Sequence, residues 1–185
     1  MRRTLPSALL AVLVALCLAL PASAGEPTEQ LKLDIAKVFK ALAHPARREA
    51  VQAVSLTLFD RTEMARRSLG RHWLELTEAE REEFAGLLGR HVDARLITLA
   101  GFTGDAIEYT GERMEGHTAI VETTIAMTSG RSMSLGYLMR RGSGRWLIYD
   151  VVLDGTSMVA SYRAQFARII KTASYEKLIE KLSTQ

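Results

Sequence analysis

Cysteine is nearly absent from the chain, which has only Cys17 among its 185 residues. No disulfide can form within one molecule, and a metal site built on a cysteine pair is excluded. The four histidines, His44, His72, His91 and His117, are widely spaced without an HExxH motif, and no glycine-rich phosphate loop precedes a helix. These absences predict a protein without a metal or cofactor, in which a hydrophobic core alone stabilises the fold.

Long apolar runs are also scarce, and the most pronounced one lies near the N-terminus. Arg2 and Arg3 precede the uncharged apolar residues 8–20, and the small residues 22–24 follow. A basic start, a short apolar middle and a small-residue end are typical of a secretory signal peptide. We therefore expect residues 1–24 to be cleaved off.

The remaining residues, 25–185, have the length of one domain. They contain no cysteine, so the expected mature chain forms no disulfide even in an oxidising compartment. The alternative to removal of residues 1–24 is a lipid anchor on Cys17. It is disfavoured because Leu16 stands where such signals have glycine or alanine.

The chain has little excess charge of either sign, with 24 basic and 21 acidic residues. Removal of Arg2 and Arg3 with the signal peptide leaves 22 basic against 21 acidic residues. Nucleic-acid binding depends on positive charge concentrated along one face. The near balance therefore argues against a nucleic-acid partner.

Apolar residues recur at helical spacing in the first part of the expected mature chain. The spacing predicts a helix over residues 28–42, which ends before Pro45. A second helix buries apolar residues as far as Phe59. Thr62 is expected to cap a short third helix that closes at Gly70.

Two further stretches have the signals of helix starts. The sequence Thr77-Glu78-Ala79-Glu80 has the form of a capping box and predicts a long helix behind it. Helical spacing returns after Gly155, where Ser157 or Asp154 can cap a helix. A last short helix is predicted over residues 175–182.

Between these helical segments the apolar repeat changes to that of strands, after Gly101 and Gly104. Short glycine-containing turns separate the strand-like runs, so an antiparallel meander is expected. Because apolar and polar side chains alternate, helices should cover one face of it. The prediction is an α+β fold with a curved, four-stranded antiparallel sheet packed against N- and C-terminal helices. The four runs cover residues 106–114, 117–127, 132–141 and 145–153.

Distinctive residues are concentrated in residues 146–170, with the sequence WLIYDVVLDGTSMVASYRAQFARII. They comprise Trp146, Asp150, the Gly155-x-Ser157 turn, Tyr162-Arg163 and Gln165-Phe166. Others lie upstream: Leu58-Phe59-Asp60, Leu69-Gly70, Trp73, and the run from Thr77 through Arg81 to Phe84. This combination resembles the signature of the toluene-tolerance family, the MlaC-type periplasmic phospholipid-binding proteins.

The resemblance implies an NTF2-like cone with a deep apolar pocket that holds the acyl chains of a phospholipid. It implies a periplasmic carrier, not an enzyme, that helps to maintain the lipid asymmetry of the outer membrane. The implied partners are phospholipid, an outer-membrane lipoprotein–porin complex, and an inner-membrane ABC transporter with MCE-domain subunits. Docking to the two membrane complexes would be transient.

Apolar residues of the sheet and of the following helix are the candidate lipid contacts. A curved sheet that faces long helices either packs solid or leaves a cavity, and periodicity does not distinguish the two. Each candidate is therefore also a candidate core residue. The methionines suit a pocket whose guests vary, or they fill gaps in a packed core. The candidates are Val121, Ile125, Met133, Leu135, Tyr137, Met139, Ile148, Val152, Met158, Tyr162 and Phe166.

Five polar residues are also candidates for ion pairs or for contacts with a ligand or partner. Asp150 and Arg163 are expected to form a bidentate ion pair, with contact to a lipid headgroup as the alternative. Arg140, Arg141 and Arg145 flank a predicted hairpin turn. We expect them to be solvated, although they could also meet a phosphate or an acidic partner.

Two rival functions remain open from the sequence. Cone-shaped domains also include isomerases that use an acid or a tyrosine in an apolar pocket. Asp150 would then be the base, with Tyr137 or Tyr149 as the proton donor. A scaffold that binds only proteins would instead have a solid core.

Overall fold

The computed structural model describes residues 25–98, 107–126, 130–142 and 144–184. The predicted signal peptide, the helix-breaking Gly101 and Gly104, and the predicted strand ends Ala106 and Met127 lie outside these residues. Within these ranges, six α-helices and one antiparallel sheet confirm the predicted α+β class. The helices are α1 (Glu26–Leu42), α2 (Arg47–Leu58), α3 (Arg61–Leu69), α4 (Glu78–Thr98), α5 (Met158–Thr172) and α6 (Tyr175–Ser183), and a 3-10 helix spans Gly70–Glu75.

Each strand of the sheet pairs antiparallel with the next strand along the chain. The four predicted strands are present, but the sheet has a fifth, two-residue strand. It forms because Asp154 and Gly155 adopt left-handed φ angles of 44° and 80°, which turn the chain back along the preceding strand. The strands are β1 (Ile107–Glu115), β2 (Thr118–Ala126), β3 (Ser132–Gly142), β4 (Arg145–Leu153) and β5 (Thr156–Ser157).

Three separate segments bind the outer edge of β4. The side-chain amide of Gln30 in α1 pairs with the backbone of Trp146: its Oε1 accepts from the Trp146 amide at 2.9 Å and its Nε2 donates to the carbonyl at 2.5 Å. The Asp60 amide donates to the Ile148 carbonyl at 2.8 Å. β5 pairs with the end of the strand. The helices are thus attached directly to the sheet edge, whose backbone groups would otherwise lack partners.

Side-chain caps define where several helices begin. The capping box is confirmed, because the Thr77 amide donates to Glu80 Oε2 at 2.7 Å and the Glu80 amide donates to Thr77 Oγ1 at 3.3 Å. Ser157, not Asp154, caps α5 and accepts from the Ala160 amide at 2.9 Å.

The expected Thr62 cap of α3 is wrong. Asp60 is the N-cap residue and accepts from the Glu63 amide at 2.9 Å. α3 begins two residues earlier than the Thr62 cap required, and Thr62 is exposed.

The arginines beside the β3–β4 turn are not simply solvated, which corrects the expectation from the sequence. Arg140 pairs with the Asp60 carboxylate that caps α3. Arg141 binds both carboxylate oxygens of Glu26 at 2.8 and 3.0 Å. Arg145 pairs with Asp34, which is buried in α1, at 2.5 Å. The sequence could not reveal these pairs, because their partners lie far away along the chain.

The core fills the space between the helices and the sheet face that carries Val121 and Met139, which we call the inner face. Trp146 and Phe84 are among its largest fully buried side chains. Phe84 meets Phe166 edge-on with ring centroids 5.7 Å apart. No helix in the described residues is both long and apolar enough to cross a bilayer.

A buried ion pair joins α3 to α4. Arg61 Nη2 donates to both carboxylate oxygens of Asp93, at 2.9 and 2.8 Å, and to Ser55 Oγ at 3.2 Å. Gly89 lies one turn before Asp93, and a Cβ at this position would lie 2.7 Å from the Arg61 side chain. The glycine is therefore required by the arginine that crosses it, although glycine within a helix costs about 1 kcal/mol relative to alanine.

Gly89→Ala is expected to lower the free energy of unfolding by about 1–3 kcal/mol, because the new methyl group displaces Arg61 from Asp93. Gly86→Ala in the same helix is the matched control, since its Cβ would lie no closer than 3.9 Å to Arg90. This control should gain about 0.5–1 kcal/mol. Urea denaturation measures both values, and equal effects would contradict the steric explanation.

Candidate functional site

The candidate lipid contacts fall into two groups that differ in exposure. Val121, Met139, Ile148, Tyr162 and Phe166 are buried within the main core. The remaining candidates are only partly buried. They are Ile125, Met133, Leu135, Tyr137, Val152 and Met158.

Aromatic side chains of the helices cover the buried half of the inner face. Tyr162 and Phe166 lie one turn apart on α5 and stack with ring centroids 5.4 Å apart. The His91 ring of α4 meets Tyr162 edge-on at 5.6 Å, as expected for a packed histidine. Burial, together with nearby Arg95, lowers the pKa of His91. This half of the face is therefore occupied by the protein's own side chains.

The other half of the inner face is apolar but only partly covered. Ile125 pairs with Met133, and Leu135 pairs with Leu153, so these four side chains share one face at one end of the sheet. Leu153 is 44% exposed, whereas Val121 further along the same face is fully buried. We call these four residues the open end of the sheet.

One candidate, Val152, lies on the opposite face from the others. A β-bulge leaves Tyr149 without a partner, because Leu138 pairs with Asp150 while Met139 pairs with Ile148. One extra residue reverses the alternation of side chains. The sequence groups Val152 with Ile148 as candidate lipid contacts, but the bulge places the two side chains on opposite faces of the sheet.

Two apolar residues that the sequence analysis missed take its place. Val151 pairs with Tyr137 and Leu153 pairs with Leu135, so both lie on the inner face. A strict alternation counted from Ile148 cannot find them. They are assigned to the inner face only when the bulge at Tyr149 is known, and no residue in β4 predicts that bulge.

The tyrosines beside the apolar face are neutral at physiological pH. Burial raises the pKa of Tyr137 to about 12, and burial also raises the pKa of Tyr162. Glu112, which shares the inner face through its pairing with Val121, accepts a hydrogen bond from the Thr28 amide at 2.9 Å. The carboxylate is thus held by the start of α1.

Asp150 stabilises the start of α5. Its carboxylate accepts from the Val159 amide at 3.0 Å and from the Ser157 hydroxyl at 2.5 Å, and the residue is 6% exposed. The predicted ion pair with Arg163 does not form. Arg163 Nε instead donates to the carbonyl of Arg67 at 2.7 Å, because α5 carries it towards α3 and away from β4.

One acid and tyrosine pair of the isomerase hypothesis, Asp150 with Tyr137, does not converge, and the ring of the other tyrosine, Tyr149, is covered by an arginine. Tyr137 pairs with Val151 and Asp150 pairs with Leu138, so the side chains of Tyr137 and Asp150 project from opposite faces of the sheet. The guanidinium of Arg67 lies 4.2 Å from the centre of the Tyr149 ring. Across the described part of the chain, no group of three His, Cys, Asp or Glu residues could hold a metal ion.

Comparisons with known proteins agree with this geometry. The family described as MlaC protein matches residues 29–184. A phospholipid-binding protein from Ralstonia solanacearum, solved in complex with a phospholipid, gives a TM-score of 0.75 at 18% identity, covering 86% of this chain and 96% of that chain. A putative NTF2-like transpeptidase from Campylobacter jejuni is much less similar, with a TM-score of 0.42 at 12% identity, covering 67% of this chain and 97% of that chain. No curated protein matches the chain.

The protein is therefore an α+β domain with the fold of the Ralstonia protein. Helices cover the inner face of its antiparallel meander and leave one apolar end open. The family match extends over most of the sequence. The chain belongs to the MlaC family, which confirms the resemblance drawn from its sequence.

Asp150→Ala is expected to lower the free energy of unfolding by about 1–3 kcal/mol, because the Val159 amide and the Ser157 hydroxyl lose their acceptor. Asp150→Asn keeps one acceptor oxygen and should lose less. Thermal unfolding of both variants measures the difference. Unchanged stability in both would show that the carboxylate has no structural role and would revive the hypothesis that it acts as a base.

Proposed function

We propose that this protein is a periplasmic phospholipid carrier and not an enzyme. It holds acyl chains against the open end of the sheet and leaves the headgroup near solvent. The observation that carries the proposal is the change along the inner face from fully buried Val121 to partly exposed Ile125, Met133 and Leu135. Membership of the MlaC family supports it, as does the phospholipid in the Ralstonia protein.

The physical need for such a carrier follows from the cost of exposing hydrocarbon to water. Each methylene group exposed to water costs about 0.8 kcal/mol. Transfer of a phospholipid with roughly thirty methylene groups from a bilayer into water therefore costs roughly 20 kcal/mol or more. A partly covered apolar surface removes much of that cost. Because the open end consists of Ile, Met and Leu side chains, which hydrogen-bond no headgroup, the lipid can also be released.

The cellular role in this proposal follows the family. After removal of residues 1–24, the protein would move phospholipid between an outer-membrane lipoprotein–porin complex and an inner-membrane ABC transporter with MCE-domain subunits. Transient docking to both complexes would serve to maintain outer-membrane lipid asymmetry. Likeness to the family supports these steps, and the N-terminal sequence supports export.

Native mass spectrometry tests the carrier proposal directly. The full chain, with its own N-terminus, is produced in a Gram-negative host and purified from the periplasm without detergent. We expect one phospholipid for each protein molecule, identified by solvent extraction. Reproducible absence of extractable phospholipid from folded protein would contradict the proposal.

Leu135→Glu should reduce the fraction of protein that carries lipid by about tenfold or more, because a charge enters the apolar surface. Folding should survive, since Leu135 is only partly buried. Ser132→Glu on the same strand is the matched control, as this residue is exposed and projects from the other face.

Ile148→Glu, by contrast, should unfold the protein, because Ile148 is 3% exposed in the core. Mass spectrometry reads lipid occupancy and circular dichroism reads folding for all three variants. Equal occupancy in Leu135→Glu and Ser132→Glu would exclude the open end as the lipid site.

A further inference from the structure

A second concave surface lies away from the sheet, between α3, the 3-10 helix and α5. It is a groove with a volume of about 370 Å³, and four arginines line it. Trp73 and Leu74 also contribute to its wall. We call it the arginine groove, and its arginines are Arg66, Arg67, Arg71 and Arg163.

Two of these arginines are held in place by one carboxylate. Arg66 donates to both oxygens of Glu63 at 2.7 and 2.6 Å, and Arg67 Nε donates to the same carboxylate at 2.6 Å. The Arg67 guanidinium also lies over the ring of Tyr149. These contacts fix the two cations in a geometry that needs no further ordering when an anion arrives.

The other two arginines retain unused donors. Arg163 donates through Nε to the Arg67 carbonyl, and its terminal nitrogens make no hydrogen bond within the described chain. Arg71 forms neither an ion pair nor a hydrogen bond with any residue that the structure describes. Of the four arginines that line the groove, Arg66 and Arg67 share one buried carboxylate, Glu63, so the groove has an excess of positive charge.

The donor geometry suits a phosphate. Planar guanidinium groups bind phosphate oxygens with paired, charge-assisted hydrogen bonds. A stable protein partner would instead require a broad apolar centre in the contact surface. Among the residues that line the groove, Leu74 is the one large apolar side chain that is exposed.

Leu74 is 78% exposed at the rim of the groove. A single apolar side chain beside a group of arginines is the arrangement that favours the interface of an anionic bilayer, where the cations meet headgroups and the apolar side chain enters the boundary of the acyl chains. Leu74 at the rim and the arginines of the groove thus both indicate an anionic bilayer as the ligand.

We propose that the arginine groove binds the phosphodiester of anionic phospholipid headgroups at a membrane surface, with Leu74 inserted beside them. This site shares no residue with the open end of the sheet. It orients the protein on a bilayer and does not hold the transported lipid.

Vesicle co-sedimentation of the protein purified from the periplasm tests the proposal. Vesicles of phosphatidylcholine alone are compared with vesicles that also contain phosphatidylglycerol. We expect preferential binding to the anionic vesicles, weakened at high ionic strength. Arg71→Gln should weaken this binding about fivefold, and Leu74→Ser should weaken it as well.

Arg168→Gln is the matched control, because it removes the same charge from an exposed position on α5 outside the groove. It should bind anionic vesicles almost as the unaltered protein does. An equal loss in Arg168→Gln and Arg71→Gln would show that net charge alone drives binding, and would overturn the proposal.

Two further results would also overturn it. One is binding of inorganic phosphate that depends on Arg71, without any preference for anionic vesicles. The other is binding of polyglutamate that depends on Arg71 while vesicle binding does not. Native mass spectrometry of Arg71→Gln should show unchanged lipid occupancy, so failure of this proposal is distinguishable from failure of the carrier proposal.

Discussion

The structure depends on how the backbone hydrogen-bonding groups at the outer edge of β4 find partners. An edge strand exposes backbone donors and acceptors that would otherwise pair with another chain. Here the Gln30 side chain, the Asp60 backbone and β5 supply partners. Because these segments belong to α1, the start of α3 and the start of α5, satisfying the edge also places three helices around the inner face. The sheet and its helical cover are thus held together by backbone geometry as well as by apolar packing.

That attachment also explains why the inner face is covered unevenly. α5 begins beside the end of β4, and its buried residues Tyr162 and Phe166 lie further along, where they pack with Phe84 and His91. The aromatic rings fill the half of the face that carries Val121 and Met139. The strand ends with Ile125 and Met133 receive no such cover from the described helices. Stability is concentrated in one half of the sheet, which allows the other half to remain apolar and partly exposed.

Local patterns in the sequence predicted most of the elements, because helix and strand repeats and capping residues act over a few positions. The capping box at Thr77 and the four long strands follow from such signals. The bulge at Tyr149 does not, since one inserted residue breaks no local rule yet moves Val152 to the other face. The ion pairs of Arg140 and Arg145 were missed for a related reason: their partners, Asp60 and Asp34, are close in space and distant in sequence.

The chain separates two surface chemistries that interfere when they are mixed. A charge beside an apolar surface keeps water close to it and weakens the binding of hydrocarbon. The arginines of the groove come from α3, the 3-10 helix and α5, while the apolar open end comes from β2, β3 and β4. At the sheet, burial raises the pKa of the Tyr137 phenol to about 12, and Thr28 binds Glu112. Since the two surfaces share no residue, a substitution can strengthen the cationic one without placing a charge on the apolar one.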